Sequence, residues 1–453
     1  MRIQLLLPAG DIHRNTTGIF RRSLRYAPLT LTTLAALTPD DLDAEITLQD
    51  EGVGPLDLDF EADVVGISAI TGTSQRAYDI ADRLRARGQC VVLGGVHPTL
   101  LPDEAAEHAD AVGCGYAEES WPRLLRDFSE GRLNQRYAFP TGKELSRIPP
   151  ARRDLLDRKK YATINSIEAT RGCPHKCDFC VVPTAWSGIY ARRPVEEVIA
   201  ELETFEGKHA LFIDLSPVED VRYAKALYRA MAPLGIRWVG LATTRLAEDK
   251  ELLRLAAESG CRGVLIGFES ISQSTLNSTS KGFHCAHDYA EYVRRLHDHG
   301  IGIQGCFVYG FDDEDASVFE KTVEFVDKVK IDLPRYAVAT PFPGTPLFRR
   351  LEAEGRLLHK QWSLYDVEHV VFDPKRMSPE RLQEGLHWSW EQSYSWGSLA
   401  RRISGAPWRI LPLWLSTNLG YRFFARNLPK KVDGVHREAS PANDEVLEAS
   451  AVS

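Results

Sequence analysis

The 453-residue chain reads as an α/β protein. An N-terminal doubly wound, Rossmann-like domain is followed by a partial (β/α)6 barrel and a helical C-terminal extension. Three observations predict this. The composition, 43% hydrophobic and 26% charged, is that of packed globular cores, and the chain is too long for one compact domain. Short apolar runs alternate with segments of helical period, in two separate series. Glycines and small residues also cluster after successive strand-like runs, at the edge where such sheets take ligands.

The first series occupies residues 1–135. Ile3 to Leu7 reads as a strand; the start lacks the long apolar run and cleavage site of a signal peptide. Leu29 to Leu37 reads as a helix after Pro28, and Ala44 to Leu48 and Asp63 to Ser68 as strands. Ser74 to Arg87 reads as a helix closed by Gly88. Val91 to Leu93 is a short strand, Glu104 to His108 a helix, and Ala111-Val112 a further strand. The strand ends carry Ser68, Thr71 and Gly72, then Gly94, Gly95 and His97, then Gly113 and Gly115. The first loop, Pro8-Ala9-Gly10-Asp11-Ile12, lacks G-x-G-x-x-G, which disfavours a nicotinamide dinucleotide.

Residues 136–160 read as a polar linker containing Pro140, Pro149 and Pro150, and residues 161–360 as the barrel. Its strands are expected at Ile164 to Ala169, Ala210 to Leu215, Trp238 to Ala242, Gly263 to Phe268, Ile303 to Val308 and Tyr336 to Ala339. Helical faces such as Leu252, Leu253 and Ala256 lie between them. Residues 361–432 read as helical and 433–453 as a loose tail. A net charge of −8 argues against a general nucleic-acid binder, and no run of about 18 apolar residues predicts a spanning helix. A cytoplasmic location is expected.

Of eight cysteines, five stand apart and read as buried thiols. The other three form Cys173-Pro174-His175-Lys176-Cys177-Asp178-Phe179-Cys180, a C-x3-C-x2-C loop after the first barrel strand. Three thiolates on one tight loop suit three irons of a 4Fe-4S cluster, leaving the fourth iron open to a small molecule. A Cys3His zinc site with His175 is the alternative, and so short a loop closes a tetrahedron poorly. A purely structural cluster would need a fourth cysteine, and the next is Cys261.

This loop, with Phe179 before its third cysteine, resembles that of the radical S-adenosylmethionine (SAM) enzymes. The N-terminal region looks like the cobalamin-binding domain joined to one branch of them. Further marks of that branch are Gly267-Phe268-Glu269-Ser270, then Gly305-Cys306-Phe307-Val308-Tyr309-Gly310-Phe311-Asp312, then Thr340-Pro341-Phe342-Pro343-Gly344-Thr345-Pro346-Leu347. The branch with hopanoid-type C-methyltransferases looks most similar. The resemblance implies a 4Fe-4S cluster on Cys173, Cys177 and Cys180, with S-adenosyl-L-methionine and cobalamin as further cofactors. It implies cleavage of SAM to a 5′-deoxyadenosyl radical, which takes hydrogen from an unactivated carbon that then receives a methyl group from cobalamin. The substrate would be a hydrophobic natural product or lipid, and the electron donor a protein such as flavodoxin or ferredoxin.

Residue roles implied by the resemblance are SAM binding by Phe179, Asp214, Glu269 and Ser270. The alternative for Glu269 is an ion pair with Arg245. Cobalamin contact falls to Ser68, Thr71, Gly72, Gly94, Gly95, His97, Gly113 and Gly115, with no D-x-H-x-x-G histidine for cobalt. His97 has a second reading as a turn histidine bonded to backbone. Rival functions are a cobalamin-dependent cyclase, oxidase or rearrangement enzyme without methyl transfer, and a non-enzymatic iron–sulfur sensor or scaffold.

Residues 407–428 combine Trp408, Leu411, Trp414, Leu415, Leu419, Phe423 and Phe424 with Arg409, Arg422 and Arg426. They read as a segment capping the barrel, with peripheral membrane contact as the alternative. Pro412 and Gly420 argue against one continuous helix there.

Overall fold

Ile3, Leu5 and Leu6 are all buried, so the first strand, β1 (Arg2–Leu7), is covered on both faces, as a central parallel strand must be. The computed structural model of the chain describes residues 1–10, 26–139, 145–186, 188–405 and 411–428. Asp11, Ile12, Pro140, Trp408, Arg409 and the 433–453 tail lie outside them.

The N-terminal sheet adds β2 (Glu45–Asp50), β3 (Val64–Ser68), β4 (Cys90–Gly94), β5 (Ala111–Cys114) and β6 (Arg136–Ala138). Its order is β2-β1-β3-β4-β5-β6, parallel throughout. Helices cover both faces. Leu31, Ala35, Trp121 and Leu124 pack on one side with Ile3 and Leu5; Ala77, Ile80, Ala81 and Leu84 pack on the other with Leu6 and Val65. The strand order reverses beside β1, which opens a crevice at the carboxyl ends. Strand β6 lies in the stretch read as linker; three residues with one buried side chain give too little pattern to recognise.

The second sheet contains β7 (Ser166–Ile167), β10 (His209–Phe212), β11 (Arg237–Ala242), β12 (Cys261–Glu269), β13 (Gly302–Tyr309) and β14 (Leu333–Val338). Its order is β14-β13-β12-β11-β10-β7, parallel throughout, an open six-unit barrel. Val264, Ile266, Phe268, Phe307, Tyr336 and Val338 face the outer helices and form the main core. A short antiparallel pair, β8 (Thr170–Gly172) and β9 (Tyr190–Arg192), separates β7 from the cysteine loop. The sequence places the cysteine loop directly after the first barrel strand, Ile164 to Ala169, and does not signal this pair.

A continuous helix spans Leu411–Arg426, against the expectation from Pro412 and Gly420. Pro412 falls in the first turn, where no intrahelical N–H is needed. The helix caps the barrel. Trp414 packs with Leu333, Asn418 donates to the Asp332 carbonyl, and Ala425 and Leu428 join the main core. Arg402, fully buried, donates to the carbonyls of Ile331, Asp332 and Ser393. Among the described residues no helix is long and apolar enough to cross a membrane.

Candidate active site between the two sheets

Gly172 has φ +83°, and a Cβ there would run into the Ile189 carbonyl. Only glycine lets β8 approach β9 so closely, and this pair fixes where the cysteine loop begins. Cys177 is buried and Cys173 and Cys180 are half-buried, all three free thiols. Cys173 Sγ lies 3.2 Å from Ser216 Oγ. The Cys180 N–H donates to the Cys177 carbonyl at 3.1 Å, tightening the turn. Burial pushes the thiol of Cys177 up to about 12 and that of Cys180 to about 11, while Lys281 favours both thiolates. His175 points elsewhere: its Nε2 lies 3.0 Å from Glu219 and its ring stacks on Phe283. That removes the fourth ligand of the zinc alternative. Three soft sulfur donors on one loop, with no fourth from His175, fit a cluster bound through three irons.

The other motif residues buttress this loop. Phe179 packs 5.7 Å from Phe311. The Leu347 N–H donates to the Asp178 carbonyl at 2.9 Å, so the Thr340–Leu347 turn holds the loop from outside. Arg356 pairs with Asp312 at 2.8 Å.

At the carboxyl end of β12 a register shift accompanies φ +61° at Glu269, a left-handed conformation for a non-glycine residue. Its carboxylate pairs with Lys281 Nζ at 2.7 Å. The expected alternative, an ion pair with Arg245, does not form: Arg245 pairs with Glu219 at 3.3 Å. A Cβ on Gly267 would meet both Glu269 and Lys281, so the glycine makes room for the pair. Lys281 was not singled out from sequence; nothing in Ser280-Lys281-Gly282 signals it. Asp214 and Ser270 do not face this site. Asp214 is fully buried and accepts from the N–H groups of Ala169 and Thr170 and from the Thr170 hydroxyl. Burial pushes its carboxyl up to about 7. The Ser270 hydroxyl donates to Glu314 and accepts from the Ser272 N–H.

A cavity of about 540 Å³ lies between the sheets. Ser68, Gly94, Gly95, Gly113 and Gly115 line one side; Glu168, Arg171, Trp186, Ile213 and Leu215 line the other. A Cβ at Gly115 would meet nothing within 4 Å, and at Gly94 and Gly113 only one carbonyl each near that limit. The missing side chains thus leave a flat cradle. Ile70 joins the lining and is 59% exposed, an apolar surface without a protein partner. These features fit the broad, largely apolar face of a corrin.

Thr71, Gly72 and His97, expected at the cobalamin, are absent from this lining. His97 is fully buried, with Nδ1 3.3 Å from Thr71 Oγ1 and Nε2 3.1 Å from Glu104 Oε1. Tyr78 and Trp362 also donate to Glu104. Gly72 backs onto Tyr365 and Asp366. These three residues serve the junction with the 362–366 segment.

Comparison with known proteins agrees with this arrangement. The B12 binding domain family matches residues 33–125 and the Radical SAM superfamily residues 167–326. The chain is 34% identical over 415 residues to the bacteriochlorophyllide d C-12(1)-methyltransferase of Chlorobaculum tepidum, covering 89% of this chain and 90% of that protein. It is 31% identical over 404 residues to the bacteriochlorophyllide d C-8(2)-methyltransferase of the same organism, covering 85% and 89%. The hopanoid C-2 methylase of Rhodopseudomonas palustris is 24% identical over 358 residues, covering 73% and 65%. The radical SAM methyltransferase TsrM from Kitasatospora setae, solved with cobalamin and a 4Fe-4S cluster, shares the fold at 18% identity and TM-score 0.63, covering 78% of this chain and 75% of its own. An iron–sulfur cluster, SAM and cobalamin are accordingly the cofactors, and the chain belongs to the cobalamin-dependent radical SAM methyltransferases.

Proposed function

We propose that the chain methylates a carbon of a chlorophyllide-type tetrapyrrole. The observation that carries this is the 34% identity, over nearly the full length of both chains, to an enzyme named for bacteriochlorophyllide d. A lipid substrate has weaker support, since the hopanoid methylase is 24% identical. When bound, the three cofactors supply SAM-derived radical formation and a transferable methyl group. The chain's own residues do the rest. Cys173, Cys177 and Cys180 hold the cluster. Phe179 keeps their loop against Phe311, and Glu269, oriented by Lys281, faces the SAM end. Ser68, Gly94, Gly95, Gly113 and Gly115 cradle the corrin, and the cavity walls exclude water.

The test is anaerobic turnover of the reconstituted enzyme with bacteriochlorophyllide d and methyl-labelled SAM. Product gaining the label, together with 5′-deoxyadenosine, is expected. Two cyclases of the same family act on magnesium-protoporphyrin monomethyl ester by name; that of Cereibacter sphaeroides is 24% identical. A product changed without methyl gain would move the chain to their chemistry. Absence of 5′-deoxyadenosine under every condition would favour a sensor or scaffold.

A further inference from the structure

Alternate residues of a barrel strand face the lumen. Here the lumen-facing positions, among them Leu241, Gly267, Gln304, Cys306, Val308 and Ala337, are half-exposed, while their neighbours toward the helices are buried. The interior is thus incompletely filled, unlike that of a closed eight-stranded barrel. Arg335, opposite Cys306 in the β13–β14 register, is a basic side chain on the lumen-facing side of β14.

Arg335 makes no hydrogen bond or ion pair with any described residue. Tyr421, Cys306, Glu368 and Tyr26 act electrostatically on its charge, and all favour the guanidinium. Glu368 is 3% exposed, and neither of its oxygens has a hydrogen-bond partner. Burial pushes that carboxyl up, against the pull of Arg335, and it forms no ion pair with the guanidinium. A half-buried cation without an ion-pair partner among the described residues is costly in the free enzyme and is open to an anion from outside.

We propose that Arg335 anchors a carboxylate of the substrate, an acid side arm on a large apolar ring, inside the barrel. This deepens the tetrapyrrole reading and rests on it for the identity of the acid. A second source of a carboxylate is the methionine part of SAM. Arg335 lies opposite Cys306, which pairs with Gly267, two residues below Glu269 on β12, so it is set deeper than the Glu269–Lys281 pair.

The experiment uses the reconstituted holoenzyme. Bacteriochlorophyllide d as free acid and as its methyl ester is titrated by absorbance, and SAM by equilibrium dialysis, for the native chain, R335Q and R335K. Thermal unfolding is followed for R335M. The expected result is a preference for the acid of about tenfold or more in the native chain, lost in R335Q and partly kept in R335K, with SAM affinity unchanged. R335M should unfold no lower than the native chain, since the charge has no ion-pair partner among the described residues to lose. Equal binding of acid and ester by the native chain, a preference surviving in R335Q, or a weakened SAM affinity would each overturn the proposal. If neither pigment binds, the tetrapyrrole reading falls on its own. The anchor then stands if R335M is as stable as the native chain, and falls if R335M unfolds several degrees lower.

Discussion

Cys177 is the most buried of the three loop thiols, at 8% exposed, and it lies among Cys173, Cys180, Lys281 and Glu269. Cys177→Ala is expected to abolish cluster absorbance after reconstitution and all 5′-deoxyadenosine formation; either one surviving contradicts its assignment as a ligand. A second residue sets a pH signature. Glu368 carries a carboxyl pushed up to about 8 by burial, against the pull of Arg335; the ordinary value is 4.5. Between those values the folded chain holds a proton that the unfolded chain has released, so stability falls as pH rises through this window and the loss is complete above it. Glu368→Gln should therefore melt near the native temperature at about pH 5 and above it beyond about pH 8. Glu314 and Asp214, raised by burial in the same way, leave part of the decline in place. At this scale the sequence was legible where ligands are neighbours in the chain, as in the cysteine loop. It was silent on Lys281, which meets Glu269 from 12 positions away across a turn. It misdirected for His97, whose partner Glu104 is gripped by Trp362 from 258 positions away.

Elements were readable where burial alternates or runs continuously over four or more residues, as in β1, β12 and β13. Strands β6, β8 and β9, three residues each, exist because tertiary partners hold them. The helix over Leu411–Arg426 formed despite its proline and glycine because Trp414, Asn418 and Ala425 are buried along one side of it. The turn from β4 into the helix Val96–Leu100 depends instead on one backbone conformation. Gly95 has φ +100°, and a Cβ there would stand 2.7 Å from the Ala69 carbonyl oxygen. Gly95→Ala meets both the left-handed penalty, about 1–2 kcal/mol, and a clash with fixed backbone. The expected outcome is a lowered unfolding midpoint in urea. Cobalamin retained through gel filtration should also drop, because Gly95 lines the cradle. An unchanged cobalamin content would separate this turn from the corrin site.

Tyr161 on Asp50 is one side-chain latch between the halves of the molecule, and two more hold other points of the junction. One is Trp362 on Glu104; the other is Arg171, which pairs with Glu168 on its own side and with Glu118 of the N-terminal domain at 2.6 Å. The Arg171 guanidinium also lies 4.4 Å over the Tyr116 ring, which stacks on Trp186. Domain order was legible from the sequence, but these latches were not, since each joins residues that only the finished fold brings together. Arg171, Tyr116 and Trp186 all line the cavity, so the wall of the proposed cobalamin site is the domain junction itself. Glu118→Gln keeps the size of the side chain and leaves Arg171 paired with Glu168. It weakens a charge-assisted hydrogen bond between two part-buried groups, a loss of about 1.5–3 kcal/mol at most. If closure of the junction and cobalamin binding are one event, part of that loss must appear as weaker cobalamin affinity. Equilibrium dialysis with hydroxocobalamin should therefore give a dissociation constant raised by up to about a hundredfold, with cluster absorbance unchanged. Native affinity in Glu118→Gln would mean that the N-terminal domain binds the corrin without help from the barrel.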